Sequence, residues 1–130
     1  MKILKVSAAV IVKDGKIFVS QRGYGEFKDG WEFPGGKIKP GETPDQTVVR
    51  EIEEELDADI AVDKILGDVE YDYPDFHISM KFFKCHLLKP HLELLEHEAA
   101  KWVDISELKN IKLLGADKEI EKYLETNGVD

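Results

Sequence analysis

Gly35-Gly-Lys-Ile-Lys-Pro-Gly-Glu-Thr-Pro-Asp-Gln-Thr-Val-Val-Arg-Glu-Ile-Glu-Glu-Glu-Leu-Asp-Ala58 reads as a glycine turn, a second turn at Pro40-Gly41 and then a helix. The start of the helix is well marked. Thr43 is a good N-cap, Pro44 suits the first helical position, and Gln46 completes a capping box with Thr43. The pattern predicts a helix over about residues 44–56.

At roughly 100° per residue, Val48, Val49, Ile52 and Leu56 fall within one arc and are expected to dock onto a core. Glu51, Glu54 and Glu55 fall in the adjoining arc, while Arg50 and Glu53 point elsewhere. Carboxylates three and four residues apart are side-chain neighbours, and each like-charge pair costs a few tenths of a kcal/mol. A hard divalent cation offsets that repulsion, because carboxylate oxygens suit Mg²⁺ or Mn²⁺ and such sites commonly add phosphate oxygens. The ordinary alternative is a solvated acidic face. Here the acids adjoin the buried arc and follow a double-glycine turn, which favours a site.

The same stretch resembles the Nudix box, G-x5-E-x7-R-E-U-x-E-E-x-G-U with U aliphatic, matching at Gly36, Glu42, Arg50, Glu51, Ile52, Glu54 and Glu55. Asp57 stands where the motif has Gly, and Ala58 where a larger aliphatic is usual. Asp is among the few residue types that tolerate the left-handed conformation such a Gly would adopt. The resemblance implies an α+β fold, an α/β/α sandwich around a mixed sheet. It also implies a Mg²⁺ site, with Mn²⁺ possible, held by Glu51, Glu54, Glu55 and the carbonyl of Gly35. Arg50 and Glu42 are expected to orient the acids. A further acid from outside the box is expected in Leu95-Glu96-His97-Glu98-Ala99-Ala100-Lys101-Trp102, with Glu96 favoured and Glu98 the alternative; for either, an exposed loop charge is the competing reading. The catalytic set is therefore Glu51, Glu54, Arg50 and Glu96, with the proton acceptor open among the glutamates. His97 has no partner His or Cys at zinc-ligand spacing.

At 130 residues the chain is expected to be one domain, 1–130, able to bury roughly two thirds of its unfolded surface. It carries 27 acidic and 18 basic residues, a net charge of −9, which disfavours a nucleic acid polymer or a membrane surface as partner. For a phosphate-binding protein that charge is a puzzle, and bound cations are the natural answer. The apolar run from Met1 to Val12 is too short to span a bilayer and shows no cleavage pattern. Cys85 is the only cysteine, so no internal disulfide forms, and a cytoplasmic location is expected. Monomer and homodimer both stay open.

Strands are expected at residues 3–12 and 17–21, joined by a tight hairpin at Asp14-Gly15. A Gly-rich loop, Gly23 to Gly30, follows. Trp31-Glu32-Phe33-Pro34 is extended. Strands are then expected at 60–72, with a break near Gly67-Asp68, at 76–88 after a turn at Tyr73-Pro74-Asp75, and at 99–105. Ser106 is expected to cap a short helical piece, and a last helix is expected at about 117–125.

Within the family the likeness runs to MutT and the CTP pyrophosphohydrolases. It is carried by Trp31-Glu32-Phe33-Pro34-Gly35-Gly36-Lys37, Tyr73-Pro74-Asp75-Phe76-His77-Ile78 and Gly115-Ala116-Asp117. It implies hydrolysis of a (deoxy)nucleoside triphosphate to the monophosphate and pyrophosphate, of the 8-oxo-dGTP or CTP/dCTP type, with a small-molecule nucleotide as partner. Arg22, Lys37, Phe33, Phe76 and Asp117 are the substrate candidates. Arg22 would grip a phosphate or merely punctuate its strand, Phe33 or Phe76 would stack on the base or fill the core, and Asp117 would read the base or cap the last helix. Two other readings are a hydrolase of another nucleoside diphosphate derivative, such as a nucleotide sugar or dinucleoside polyphosphate, and a catalytically silent nucleotide-binding module.

Overall fold

The computed structural model describes every residue except Met1, Tyr24 and Glu26. Tyr24 and Glu26 belong to the Gly23–Gly30 loop and Met1 to the N-terminal apolar run, so those parts of the sequence reading lie outside the described residues.

The chain folds as β1 (Lys2–Lys13), β2 (Lys16–Arg22), β3 (Trp31–Glu32), β4 (Gly35–Lys37), α1 (Pro44–Leu56), β5 (Ile60–Asp72), β6 (Phe76–Leu87), β7 (His97–Val103), a 3-10 helix (Ile105–Asn110) and α2 (Gly115–Asn127). The sheet is mixed. β1 runs parallel to β6 from Lys2↔Phe76 to Ile11↔Cys85, and every other pairing between strands is antiparallel. At Asp14-Gly15 both residues have positive φ, 51° and 77°, as a two-residue hairpin loop requires.

Side-chain alternation along β1 separates two cores. Ala8 and Val10 pack with Leu108, Ala116, Ile120 and Leu124 under α2, whereas Ala9 and Ile11 pack with Val48, Ile52 and Leu56 under α1. Phe82 and Phe83 of β6 divide in the same way. The helices therefore cover opposite faces of the sheet, giving the α+β, three-layer sandwich. Each fully buried Val, Leu or Ile contributes about 1.5–3 kcal/mol of transfer free energy, so three such residues on α1 suffice to clamp it.

Several local expectations are corrected. Val49 is 37% exposed and does not join the docking face, where Thr47 is buried beside Val48, Ile52 and Leu56. β5 is continuous through Gly67-Asp68, and its irregularities lie at Val62/Lys64 and Ile65/Gly67, where the register slips against β6. β7 begins at His97, not at residue 99, and the 3-10 helix is capped by Asp104, whose N–H is met by Glu107 at 2.9 Å, rather than by Ser106. α2 starts at Gly115, so Asp117 lies inside its first turn and is not the N-cap.

Candidate active site

The start of α1 follows the capping box, with the Thr43 N–H donating to Gln46 Oε1 at 3.0 Å, and its end is closed by Asp57 in the left-handed conformation at φ 48°. Asp57 thus fills the place of the motif's Gly at the helix terminus. Just beyond β6, the chain folds back onto the last turn of α1. The Glu93 N–H donates to the Leu56 carbonyl at 2.7 Å and the Leu95 N–H to the Glu55 carbonyl at 3.0 Å, supplying partners for carbonyls that a helix end leaves unpaired. That double tie sets Glu96 and His97 beside Glu55.

Glycines bring the other wall close. Gly35 pairs with Ala8 of β1, and a methyl there would overlap the Ser7 carbonyl and stand 2.8 Å from Ala8 Cα. At Gly36 the added methyl would stand 2.5 Å from Glu51 Oε2, so the absence of a side chain is what lets the acid lie over β4.

Arg50 organises the outer carboxylates. It forms two bonds to Glu42, one of them 2.9 Å from Nη2 to Oε1, and its Nη1 donates to Glu51 Oε1 at 2.8 Å and Glu54 Oε2 at 3.0 Å. Nη2 also reaches the Lys37 carbonyl at 3.1 Å, joining α1 to β4. The guanidinium holds the Glu42 carboxyl down at about 2, assisted by the Lys39 N–H. Arg50 therefore does not point away from the acids, because its long stem turns back among them. Glu54, half-exposed, is drawn to Arg50 and lies outside the main cleft, in a groove with Val49 and Val62.

The cleft has two joined ends. The acidic end, 400 Å³, is lined by Glu32, Glu51, Glu55, Glu96 and His97. Burial, then the charges of Glu51, Glu32 and Glu96, push the Glu55 carboxyl up to about 9. Its Oε2 is buried with no hydrogen-bond partner among the described residues. Such an orphaned acceptor, compressed among carboxylates, fits a hard divalent cation. An exposed trio, Asp57, His91 and Glu93, also places ligand atoms within 4.8 Å of one another, off the cleft.

The other end, 580 Å³, is more apolar, with Leu4, Val6, Ile78 and Met80 in its wall. Phe76 is stacked on Tyr73, with ring centroids 5.0 Å apart and planes at 25°, and Phe27 packs against the same tyrosine at 5.1 Å. Segment 112–114 runs along β3, the Leu114 N–H donating to the Trp31 carbonyl at 2.9 Å, and so delivers the first turn of α2. There Asp117 Oδ1 accepts from the Phe33 N–H at 2.9 Å. Burial, followed by the charge of Glu32, pushes its carboxyl up to about 8. Burial thus biases Asp117 toward its protonated form, which can donate as well as accept.

Arg22, Glu32, Gly35 and Lys37 line both ends. Arg22 is ion-paired with Glu32 at 2.8 Å. Phe33 is a core residue, 3% exposed, that also borders the apolar end. Glu98 stands apart, facing Lys28 at 3.6 Å, while Glu96 borders the acidic end. Glu32 and the buried His97 went unassigned in the sequence reading. Glu32 lies in the quoted Trp31–Lys37 segment, so the signal was present, but its inward direction depends on strand pairing. His97 lies in the Leu95–Trp102 segment, but its approach to Glu32 and Glu55 likewise depends on tertiary pairing.

A family profile described as the NUDIX domain matches residues 1–125. The 8-oxo-dGTP diphosphatase of Proteus vulgaris is 42% identical over 84 residues, 63% of this chain and 75% of that protein. The CTP pyrophosphohydrolase of Escherichia coli is 33% identical over 118 residues, 90% of this chain and 87% of that protein. The solution structure of the E. coli ORF135 protein superposes with a TM-score of 0.83 at 31% identity, covering 97% of this chain and 91% of that one. The MutT NUDIX hydrolase from Burkholderia pseudomallei gives 0.82 at 27% identity, covering 95% and 99%. Box residues on α1, glycines appressed to them and a profile running almost end to end agree: the chain belongs to the NUDIX domain family.

Proposed function

We propose that the protein is a divalent-metal-dependent pyrophosphohydrolase converting a (deoxy)nucleoside triphosphate to its monophosphate and pyrophosphate. The observation that carries this reading is the continuity of the cleft: an apolar, aromatic end sized for a nucleoside opens at Gly35 and Glu32 into a carboxylate-lined end. The two NUDIX relatives named for 8-oxo-dGTP and CTP support the same substrate class.

Glu51, Glu55, Glu96 and the Gly35 carbonyl would hold Mg²⁺ or Mn²⁺, with Glu54 able to join from its Arg50 contact. When bound, the ion supplies charge neutralisation and Lewis acidity to the phosphate chain. The protein's own part is placement. Lys37 stands at the junction of the two ends, where it attracts the phosphates. Arg50 restrains Glu51 and Glu54 so that one of them, or Glu96, accepts the proton of the attacking water. Asp117 addresses the base edge, held in register by the Phe33 N–H.

A nucleotide panel with product identification in ¹⁸O-labelled water tests the proposal. Pyrophosphate together with the monophosphate is the expected outcome; release of a sugar phosphate, or binding without hydrolysis at saturating Mg²⁺, would overturn it. Asp117→Asn keeps an acceptor for Phe33 but alters the hydrogen-bonding face, and should change the ratio of kcat/KM between two bases by at least about tenfold, equivalent to about 1.4 kcal/mol. Glu96→Gln should reduce metal affinity about tenfold or more, whereas Glu98→Gln should leave it unchanged in the same calorimetric titration.

A further inference from the structure

His97 is an unusual residue to find against a carboxylate cluster. Its side chain is 3% exposed, and its Nε2 lies 3.3 Å from Glu32 Oε2 and 3.5 Å from Glu55 Oε1. Nδ1 is buried with no hydrogen-bond partner among the described residues. Among the described residues only Nε2 faces acceptors, so in the neutral ring that nitrogen carries the hydrogen. The backbone holds the ring in place: His97 pairs with Arg22 of β2, and the Leu95 N–H is tied to the Glu55 carbonyl. Arg22 in turn is paired with Glu32. Hydrogen bonds thus join Arg22, Glu32 and His97, and His97 in turn stands against Glu55, so these polar groups run from the junction of the cleft to its acidic end.

We infer that His97 is a positioning residue for the cation site: its Nε2–H bonds Glu32 Oε2 and faces Glu55 Oε1 at 3.5 Å, turning Glu55 Oε2 toward the place of the ion. The inference rests on the proposed cation site. Hydrogen-bond donors behind ligating carboxylates orient them, and losing one typically costs about 10–100-fold in metal affinity or activity. A residue that merely packed would be replaceable by an apolar side chain of similar size. His97, by contrast, needs a donor at its tip.

The test measures Mn²⁺ uptake by the nucleotide-free protein from the electron paramagnetic resonance signal of free Mn²⁺, comparing wild type, His97→Leu and His97→Gln. The glutamine amide can place an N–H where Nε2 stands. The leucine variant is expected to bind Mn²⁺ about 10–100-fold more weakly, and the glutamine variant within about threefold of wild type. Equal affinity in all three, or an equal loss in both variants, overturns the inference while leaving the cation site intact. No Mn²⁺ uptake by wild type would instead remove the cation site itself, and the inference with it. Should the leucine variant not fold, ¹⁵N resonances of the wild-type imidazole decide: a protonated Nε2 whose signal moves on Mg²⁺ addition supports the inference, and an unprotonated Nε2 or an unmoved signal overturns it.

Discussion

Glu55→Gln should make the metal-free protein more stable and the enzyme nearly inactive. Burial and the nearby charges of Glu51, Glu32 and Glu96 hold this carboxyl up at about 9, against an ordinary 4.5. The folded state therefore keeps a proton that the unfolded chain has lost throughout that interval. Stability of the metal-free protein consequently falls as pH rises from about 4.5 to about 9, and the decline levels off above it. Glutamine removes the charge at similar volume, so the decline should become shallower, without vanishing, because Asp117 is displaced in the same direction, from 3.8 to about 8. At pH 8 a gain of about 1 kcal/mol would appear as a rise of roughly 3–6 °C in Tm. Turnover should fall at least about 100-fold, since some 3 kcal/mol of electrostatic stabilisation disappears with a ligand charge. Scanning calorimetry across pH and steady-state kinetics check the two halves. A less stable variant would show that Glu55 is not compressed, and full activity would exclude it from the site.

Adjacent glycines should respond very differently to one methyl group. Gly35→Ala drives the new carbon into Ser7 and Ala8 backbone, which belongs to the central strand and cannot yield without breaking the β1–β4 pairing. An overpacking cost of about 1–3 kcal/mol or more is expected, read as a lower midpoint in urea. In Gly36→Ala the three atoms nearest the new carbon all belong to the Glu51 carboxyl group, the tip of a side chain that can swing aside. Its stability should change little, but the acid would leave Arg50 and the cleft, and kcat should drop by about tenfold or more. Equal stability losses in both variants would contradict the arrangement of β4 against α1.

Much of this was legible before any coordinates. The capping box, the extent of α1 and the Asp14-Gly15 hairpin follow from local rules that the tertiary structure does not override, and the mixed sheet between helices agrees with the family resemblance. Val49 was misplaced because an arc drawn at 100° per residue says which side chains are neighbours, not how wide the buried stripe is. The start of α2 was missed because Leu114, an apolar residue, stands at its N-cap: the helix is held there by pairing with Trp31, not by a capping side chain. The acids divided less cleanly than spacing suggested. Glu51 and Glu55 face the cleft, but Glu54 follows Arg50 outward, an outcome set by a competing cation. The resemblance already favours Glu96 over Glu98, but its place beside Glu55 depends on the ties from Leu95 and Glu93, which no periodicity reveals.

Those ties have an evolutionary corollary. Because the segment before β7 is anchored by the backbone N–H groups of Glu93 and Leu95, the side chains of those two residues are less constrained than their number in the chain, while Leu92 packs on the core under α1. Inserting or deleting a single residue there would displace Glu96 by up to about 3.3 Å along the chain, or else shift β7 by one residue against β2 and turn its side chains to the opposite face. Chain length in this stretch is therefore a constraint on the site in its own right, beside that of any single side chain.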